Sequence, residues 1–401
     1  YIREMNNTFV PYIARRLEEQ LQHSDKDSEF QYEALKTYLM LGNPERMEPQ
    51  QVSLWMALDW QNQYPREPDK QSRLQLHLDS LLQGTIRPAT LDERLVKKVR
   101  NNLARVSIAE LVYGRLKREA IAEDNITFRV TDAVGPAAEM VFVRASGVPL
   151  EEGIPGLFTY QGFYKSYQEE SRRLVEQIQK EDWVLGDEHD KVNTAELQRL
   201  EQDIRRLYVA DYIRNWQDLL SDLKIVPFRD IRHGTEVLEV LSGPASPLLG
   251  LLEAVDHNTS LNRLPAGAQG VAEQAGKIAK EKSRIARLLD RTLDVDNTAA
   301  LPGTPVEQRF QPLNSLVQAK DNRSPPVDKL IGLLSELYGQ LTAVADGYGM
   351  SAPGMAGGGG GMQGTLQRLH SVGARQPEPV KTWMRQVADN TRMVSIGSAR
   401  E

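Results

Sequence analysis

The chain of 401 residues contains no cysteine, only 8 phenylalanines and no long apolar run. Without cysteine it forms no disulfide, no thiolate metal site and no cysteine nucleophile. The absence of cysteine fits a reducing compartment as well as an oxidising one. No apolar run approaches the roughly 18–20 residues that a membrane-spanning helix needs. The net charge of −6 argues against a nucleic-acid-binding surface. The first residue is a tyrosine and no signal peptide follows it, so we expect the chain to start inside a longer protein.

Apolar residues recur at helical spacing over most of the chain. The longest stripe extends from Leu197 to Leu223 and predicts a helix of roughly 45 Å, at 1.5 Å per residue. Two sequences of the capping-box type, Thr90–Glu93 and Ser107–Glu110, predict helix starts. The sequence therefore predicts a mainly α protein, an elongated multi-helix bundle.

One region departs from this pattern, near residues 125–145. Ile126, Phe128 and Val130 alternate with polar residues, and a second apolar run covers 140–143. Gly135-Pro136 between the two runs is a turn signal. An alternating run, a turn and a second run together predict a small β-hairpin insertion.

The most unusual local sequence is Gly153–Phe163, GIPGLFTYQGF. Glycine allows close backbone approach, whereas Pro155 has no N–H and cannot continue a helix. We select six residues of this segment as an interaction or structural element: Ile154, Pro155, Leu157, Phe158, Tyr160 and Phe163. The segment is either a tight turn held in the core by its aromatic side chains or a docking element for another protein. Because most buried aromatics serve packing, we favour the first and predict that Phe158 and Phe163 are buried.

The sequence suggests two domains. Residues 1–260 form a helical domain that includes the hairpin and the 153–163 segment, and 261–401 form a second helical region. In the second region we predict a helix over 268–290, a proline- and glycine-rich loop over 302–326, and a flexible glycine-rich loop over 351–364.

Motifs for chemistry are missing from the sequence. The six histidines do not fall at zinc-ligand spacing, and neither a phosphate-binding loop nor a nucleophile elbow occurs. Ser246 and His257 could form part of a catalytic triad, but Ser246 precedes Pro247 as a helix cap would. We therefore predict no catalytic, cofactor-binding or metal-binding residue, and no enzyme activity.

Several segments, in this order, resemble the periplasmic part of IcmF/TssM proteins of type VI secretion systems. The matching segments are Tyr32–Leu41, His77–Leu82, Leu95–Leu103, Tyr113–Lys117, Gly153–Phe163, Trp183–Gly186, Tyr208–Trp216 and Leu241–Leu248. Each is weak alone, but their ordered conjunction over about 1–260 is specific. Residues 261–401 resemble the family's more variable helical continuation.

The resemblance implies a structural scaffold of the secretion membrane complex: a periplasmic helical pillar that self-associates around the channel. It implies attachment to the inner membrane through upstream segments not present here, and a TssL-like inner-membrane partner reached through those missing regions. It also implies a TssJ-like outer-membrane lipoprotein as a partner, contacted mainly through a C-terminal β-rich domain that we expect to be absent from this chain.

Two alternatives stay open from the residues alone. The first is a soluble helical adaptor, or protein-interaction module, without a membrane link. The second is a hydrolase with an unrecognised site, which would need a polar pocket holding a histidine and a carboxylate within hydrogen-bond reach.

Overall fold

The computed structural model describes residues 2–23, 28–123, 127–186, 194–263, 303–319, 323–346 and 361–398. Helices dominate these residues, so the prediction of a mainly α protein is confirmed. Helices of the first part are α1 Ile2–His23, α2 Ser28–Gly42, α3 Pro49–Gln63, α4 Pro68–Leu82, α5 Glu93–Leu103 and α6 Ile108–Glu123. A 3₁₀ turn at Pro44–Arg46 follows α2.

The central part alternates short helices and strands before a long helix. Its elements are β1 Thr127–Phe128, α7 Val130–Val134, α8 Ala138–Val141, β2 Phe142–Arg144, β3 Ile154–Pro155, α9 Tyr160–Gly162, α10 Gln168–Lys180, α11 Asp182–Leu185, α12 Thr194–Asp222 and β4 Leu223–Ile225. The C-terminal part is helical again. Its described helices are α13 Ile231–Ser242, α14 Pro247–Thr259, α15 Thr304–Asn314, α16 Pro326–Ala345, α17 Gly361–Gly373 and α18 Val380–Ser398.

The chain forms two compact units that interleave in sequence. Unit 1 comprises 1–119 and 170–204, and unit 2 comprises 120–169 and 205–401. In unit 1, α1 packs on α2 and α3 on α4 around a core that includes Tyr38 and Trp60. In unit 2, α13 packs on α16, and α17 packs on α16 and α18. The boundary between these units does not fall at residue 260. The division into 1–260 and 261–401 stays a prediction.

The predicted hairpin over 125–145 is wrong. β1 pairs antiparallel with β3, with Phe128 opposite Ile154, while β2 pairs antiparallel with β4, with Phe142 opposite Ile225. The two apolar runs thus belong to separate two-stranded sheets, and helices α7 and α8 lie between them. Val130, the last member of the alternation, is the first residue of α7.

One of the two predicted capping boxes exists. Ser107 N donates to Glu110 Oε2 at 3.0 Å, and Glu110 N donates to Ser107 Oγ at 3.2 Å. The Thr90–Glu93 sequence instead leads into a cap by Asp92, whose Oδ1 accepts from Arg94 N at 2.9 Å and from Leu95 N at 3.2 Å. The negative charge of an aspartate next to the first turn also interacts favourably with the positive end of the helix dipole.

The predicted loops of the C-terminal part need correction. Helix α15 lies inside the predicted loop 302–326, and it begins with a proline in its first turn, where the missing N–H costs nothing. Of the predicted loop 351–364, the described residues 361–364 form the first turn of α17. The rest of that loop and the predicted helix 268–290 lie outside the described residues.

Asp222 joins the end of α12 to both strands of the second sheet. Its carboxylate accepts from Arg144 Nε at 2.7 Å, from Ser146 N at 2.8 Å and from Ser146 Oγ at 2.6 Å. On the other side of β4, Trp383 Nε1 donates to Leu223 O at 2.8 Å, and Ile225 N donates to Gln386 Oε1 at 3.1 Å. Side chains of α18 therefore pair two backbone groups of β4, Leu223 O and Ile225 N, on the edge away from β2.

We expect the Asp222→Asn variant to lose part of the acid dependence of stability. Burial by itself would raise the Asp222 pKa, but the hydrogen bonds from Ser146 and Arg144 outweigh it and the pKa is lowered. A carboxyl whose pKa is lower in the folded chain stabilises it above the unfolded pKa of about 3.9, and this contribution is lost as the pH falls through the folded pKa. Urea unfolding between about pH 3 and 7 should show the variant less stable at neutral pH and the difference shrinking in acid. A difference that stays constant over this range would contradict the assignment.

No single helix among the described residues is long and apolar enough to span a bilayer. Helices α13 and α14 pass that test of length and composition when taken together, with a bend of 40° between them.

Candidate functional site

The 153–163 segment folds as a strand, a 3₁₀ turn and a helix start within unit 2. β3 is followed by the 3₁₀ turn Gly156–Phe158. Thr159 Oγ1 then donates to Gly156 O at 2.7 Å and accepts from Gly162 N at 3.1 Å. Thr159 is therefore the N-cap of α9, which leads through a π-helical turn at Phe163–Tyr167 into α10.

Two glycines of the segment lie where backbone leaves no room for a side chain. A Cβ at Gly153 would lie 1.6 Å from Phe128 O, and a Cβ at Gly162 would lie 2.0 Å from Gly156 O. In both cases the obstacle is a carbonyl oxygen of the main chain, which cannot rotate away. Glycine at these positions is thus required by close backbone approach.

Aromatic side chains of α12 hold the 3₁₀ turn through its carbonyl oxygens. Tyr208 Oη donates to Leu157 O at 2.8 Å, and Trp216 Nε1 donates to Phe158 O at 2.8 Å. Tyr208 and Trp216 are fully buried. A turn outside regular structure would otherwise leave these buried carbonyls unpaired, which costs about 1–3 kcal/mol each.

The aromatic rings of the segment pack on the same helix. The Phe158 ring lies 5.9 Å from the Tyr208 ring and 6.2 Å from the Tyr212 ring, measured between centroids. Tyr167, just beyond the segment, stacks on Tyr208 at 3.8 Å. Phe158 and Phe163 are 4% and 2% exposed, so the prediction that both are buried is confirmed.

The other selected residues divide into buried and partly exposed ones. Ile154 and Leu157 are buried, whereas Pro155 and Tyr160 are half-buried. Tyr160 N donates to Asn258 Oδ1 at 3.0 Å, and its ring lies 4.9 Å from the ring of His257. A docking role of the segment stays a prediction, and Pro155 and Tyr160 are its partly accessible members.

We expect Tyr208→Phe to lower the free energy of unfolding by about 1–3 kcal/mol. The change keeps the stacked ring but leaves Leu157 O buried without its donor. Tyr164→Phe is the matched control, because the hydroxyl of half-buried Tyr164 also donates to a carbonyl, Leu261 O at 2.7 Å. Urea unfolding should show the smaller loss for the control, and equal losses would mean that burial of the carbonyl is unimportant.

A buried charge cluster in unit 1 was not predicted from the sequence. Lys36 is 0% exposed, and its Nζ lies 2.7 Å from Glu181 Oε1 and 3.1 Å from Glu48 Oε1. Glu181 also accepts from Tyr32 Oη at 2.9 Å and from Gln177 Nε2 at 3.0 Å. The cluster therefore connects α2 to the residue that follows α10.

A second cation extends this cluster. Arg115 Nη1 lies 3.3 Å from Glu33 Oε1 and 3.7 Å from Glu181 Oε2. Burial raises the pKa of Glu33, and the nearby Arg115 counteracts this only in part. Burial, together with the Glu181 charge, raises the pKa of Tyr32, which keeps its hydroxyl a hydrogen-bond donor.

One sequence signal for this cluster existed. Lys36 lies in a helix rich in apolar residues, with Tyr32 four and Glu33 three residues earlier on the same side. A lysine at such a position is almost never fully buried unless it is paired, so a carboxylate partner could have been expected. Its identity could not, because Glu181 lies 145 residues further along the chain.

The described residues offer little for catalysis. No group of three or more histidine, aspartate and glutamate side chains among them could hold a metal ion. Ser246 precedes α14 as predicted, but its hydroxyl donates to Leu241 O instead of capping the helix. A cleft of about 660 Å³ in unit 2 is lined by Gln217, Lys224, Arg309 and other residues of α12, α15 and the segment 377–382 at the start of α18.

Comparisons with known proteins give a family match, a related sequence and a solved structure. The family described as "IcmF-related: Intracellular multiplication and human macrophage-killing" matches residues 1–260. "Type VI secretion system component TssM1" of Pseudomonas aeruginosa is 36% identical over 403 residues, which is 98% of this chain and 36% of that protein. The chain thus spans about a third of the length of this relative. A solved "Type VI secretion system membrane core complex" chain aligns with 14% identity and a TM-score of 0.46, over 73% of this chain and 51% of the other.

Proposed function

Because this chain belongs to the IcmF-related family, we propose that it is a structural component of a type VI secretion membrane complex. The observation that carries the proposal is the 36% identity to a type VI secretion component over 98% of the chain. A match of this extent concerns both units. The packing of the described residues supports a structural role, since the unusual 153–163 segment is buried against α12.

The finer role follows the family. In this proposal the chain is a periplasmic helical pillar, attached to the inner membrane through other segments of its parent protein and without catalytic activity of its own. It self-associates around the channel, and a TssL-like protein and a TssJ-like outer-membrane lipoprotein contact other parts of the same parent protein.

The proposal is tested by association in solution and in cells. Light scattering over a range of concentrations, alone and with a TssJ-like lipoprotein, should show oligomers of this chain or of its parent protein. The described part of this chain contains no native cysteine, so single cysteines can be introduced there in the parent protein. Cross-linking through them in cells should give covalent dimers only when the secretion complex is assembled.

Two results would contradict the proposal. One is a parent protein that stays monomeric at all concentrations, binds no lipoprotein and gives no cross-linked species. The other is secretion that continues at its normal rate after deletion of this region while the rest of the protein is still produced.

A further inference from the structure

The outward face of α5 carries a stripe of positive charge. Arg94, Lys97 and Lys98 are exposed, and Arg105 is exposed just after the helix. The opposite face is buried and apolar, with Leu95, Val96, Val99 and Leu103 in the core of unit 1. At 3.6 residues per turn the cationic positions 94, 97 and 98 fall on one side of the helix and extend toward Arg105. We define these four residues as the basic stripe.

The stripe forms no ion pair with the part of the chain that the structure describes. Within the described ranges, none of its four side chains has a hydrogen bond or an ion pair, whereas Arg100 of the same helix donates to Val184 O at 3.0 Å and to Trp183 O at 2.9 Å. Glu93 is an exposed acid in the first turn of α5. The four cations of the stripe thus form a local positive region on a protein whose net charge is −6.

The composition of the stripe favours one class of partner. The centres of protein–protein interfaces are rich in aromatic residues and poor in lysine. The exposed face of α5 has two lysines and two arginines around it and no exposed large apolar side chain. Such a face has charge but lacks the large aromatic or apolar side chains that usually carry the binding energy of a protein–protein interface. An anionic lipid surface needs only charge, and it attracts each nearby lysine or arginine by about 1 kcal/mol.

We propose that the basic stripe, Arg94, Lys97, Lys98 and Arg105, binds the anionic headgroups of a lipid bilayer. Because the chain as a whole is acidic, an anionic bilayer repels most of its surface. Attraction at the stripe therefore also orients the protein, with α5 facing the lipid. This inference does not depend on the proposed secretion role.

The test is vesicle flotation with this chain at low ionic strength. Phosphatidylcholine vesicles and vesicles that also contain phosphatidylglycerol are compared. The unmodified chain should bind the anionic vesicles and not the neutral ones. Salt at about 1 M should release it, because the Debye length falls to about 3 Å. The triple variant Arg94→Gln/Lys97→Gln/Lys98→Gln should bind anionic vesicles roughly 100-fold more weakly, at about fivefold per cation.

A matched control removes the same charge elsewhere. Lys381→Gln/Arg385→Gln/Arg392→Gln changes three exposed cations of α18, with the exposed acid Asp389 nearby on that helix. It should weaken vesicle binding less than about threefold. All variants should keep the thermal unfolding temperature of the parent chain, since the replaced side chains have no partner among the described residues.

Three outcomes would overturn the proposal: no binding of the parent chain to anionic vesicles, equal binding to neutral ones, or equal losses in the two triple variants. A fourth is preference for another polyanion. If polyglutamate or DNA binds the parent chain more tightly than the vesicles do, and through the same three side chains, the stripe serves an acidic protein or a nucleic acid and the lipid assignment is wrong.

Discussion

Replacing Glu181 by glutamine is expected to lower the free energy of unfolding by about 3–5 kcal/mol. The amide keeps the shape of the side chain and one acceptor, but it removes the charge 2.7 Å from Lys36 Nζ. Lys36 is fully buried, and its remaining carboxylate, Glu48, has a half-exposed side chain. A buried ammonium that loses its close counter-ion bears a desolvation cost that a screened partner repays only in part. Urea unfolding at neutral pH measures the loss.

The double variant Lys36→Met/Glu181→Gln separates charge from packing. If the loss in the single variant comes from the unpaired ammonium, removing the ammonium as well should restore most of the stability. The single variant should then be the least stable of the set. A Glu181→Gln chain within about 1 kcal/mol of the parent would contradict this account, and so would a double variant that is less stable than the single one.

Replacing Phe158 by alanine is expected to cost about 3–5 kcal/mol. The ring is 4% exposed and lies against Tyr208 and Tyr212, so its removal leaves a cavity at the junction of the 3₁₀ turn and α12. The backbone around it cannot collapse easily. Gly162 lies against Gly156 O with no room even for a Cβ, and Trp216 donates to Phe158 O. Thermal or urea unfolding measures the loss.

Phe158→Leu is the same-site control, because it keeps most of the volume and should cost less than about 1.5 kcal/mol. The two readings of the 153–163 segment give opposite results for alanine. A packing role predicts a large loss of stability with assembly lost only as a consequence. An alanine variant that unfolds with the parent chain but no longer associates would instead assign Phe158 to docking.

The sequence pattern predicted the long helix α12 correctly because its apolar residues recur at helical spacing, with Ile204, Tyr208, Tyr212 and Trp216 buried along one stripe. Leu223, the last residue of the predicted stripe, instead begins β4. Phe158 and Phe163 were also correctly predicted to be buried, because large aromatic surface among glycines has few places to go other than a core.

Pairing of strands could not be predicted from local pattern. Phe128 and Phe142 each lie in a strand, but these strands have only two and three residues. Elements this short have no register preference of their own, so tertiary contacts choose the partner. Ile154 and Ile225, the residues opposite them, are separated from them by other elements, and only the closed fold brings them together.

Prolines caused the other local error. Pro305 and Pro312 contributed to the predicted loop 302–326, yet α15 has Pro305 in its first turn and contains Pro312. A proline is compatible with a first turn and disfavours a helix interior, and position within the element decides between the two. Position is what a composition-based reading lacks. Lys36 shows a related limit, because the partner that allows its burial, Glu181, is distant in the sequence and close only in the folded chain.

Because α18 covers one edge of β4, it limits the binding of extended peptides at that edge. Trp383 and Gln386 occupy Leu223 O and Ile225 N, the main-chain groups through which an incoming peptide would extend the sheet. A ligand that recognises proteins by β-augmentation would first have to displace a buried tryptophan at this position. Trp383 and Gln386 therefore also hinder edge-to-edge pairing of β4 with a strand of another molecule.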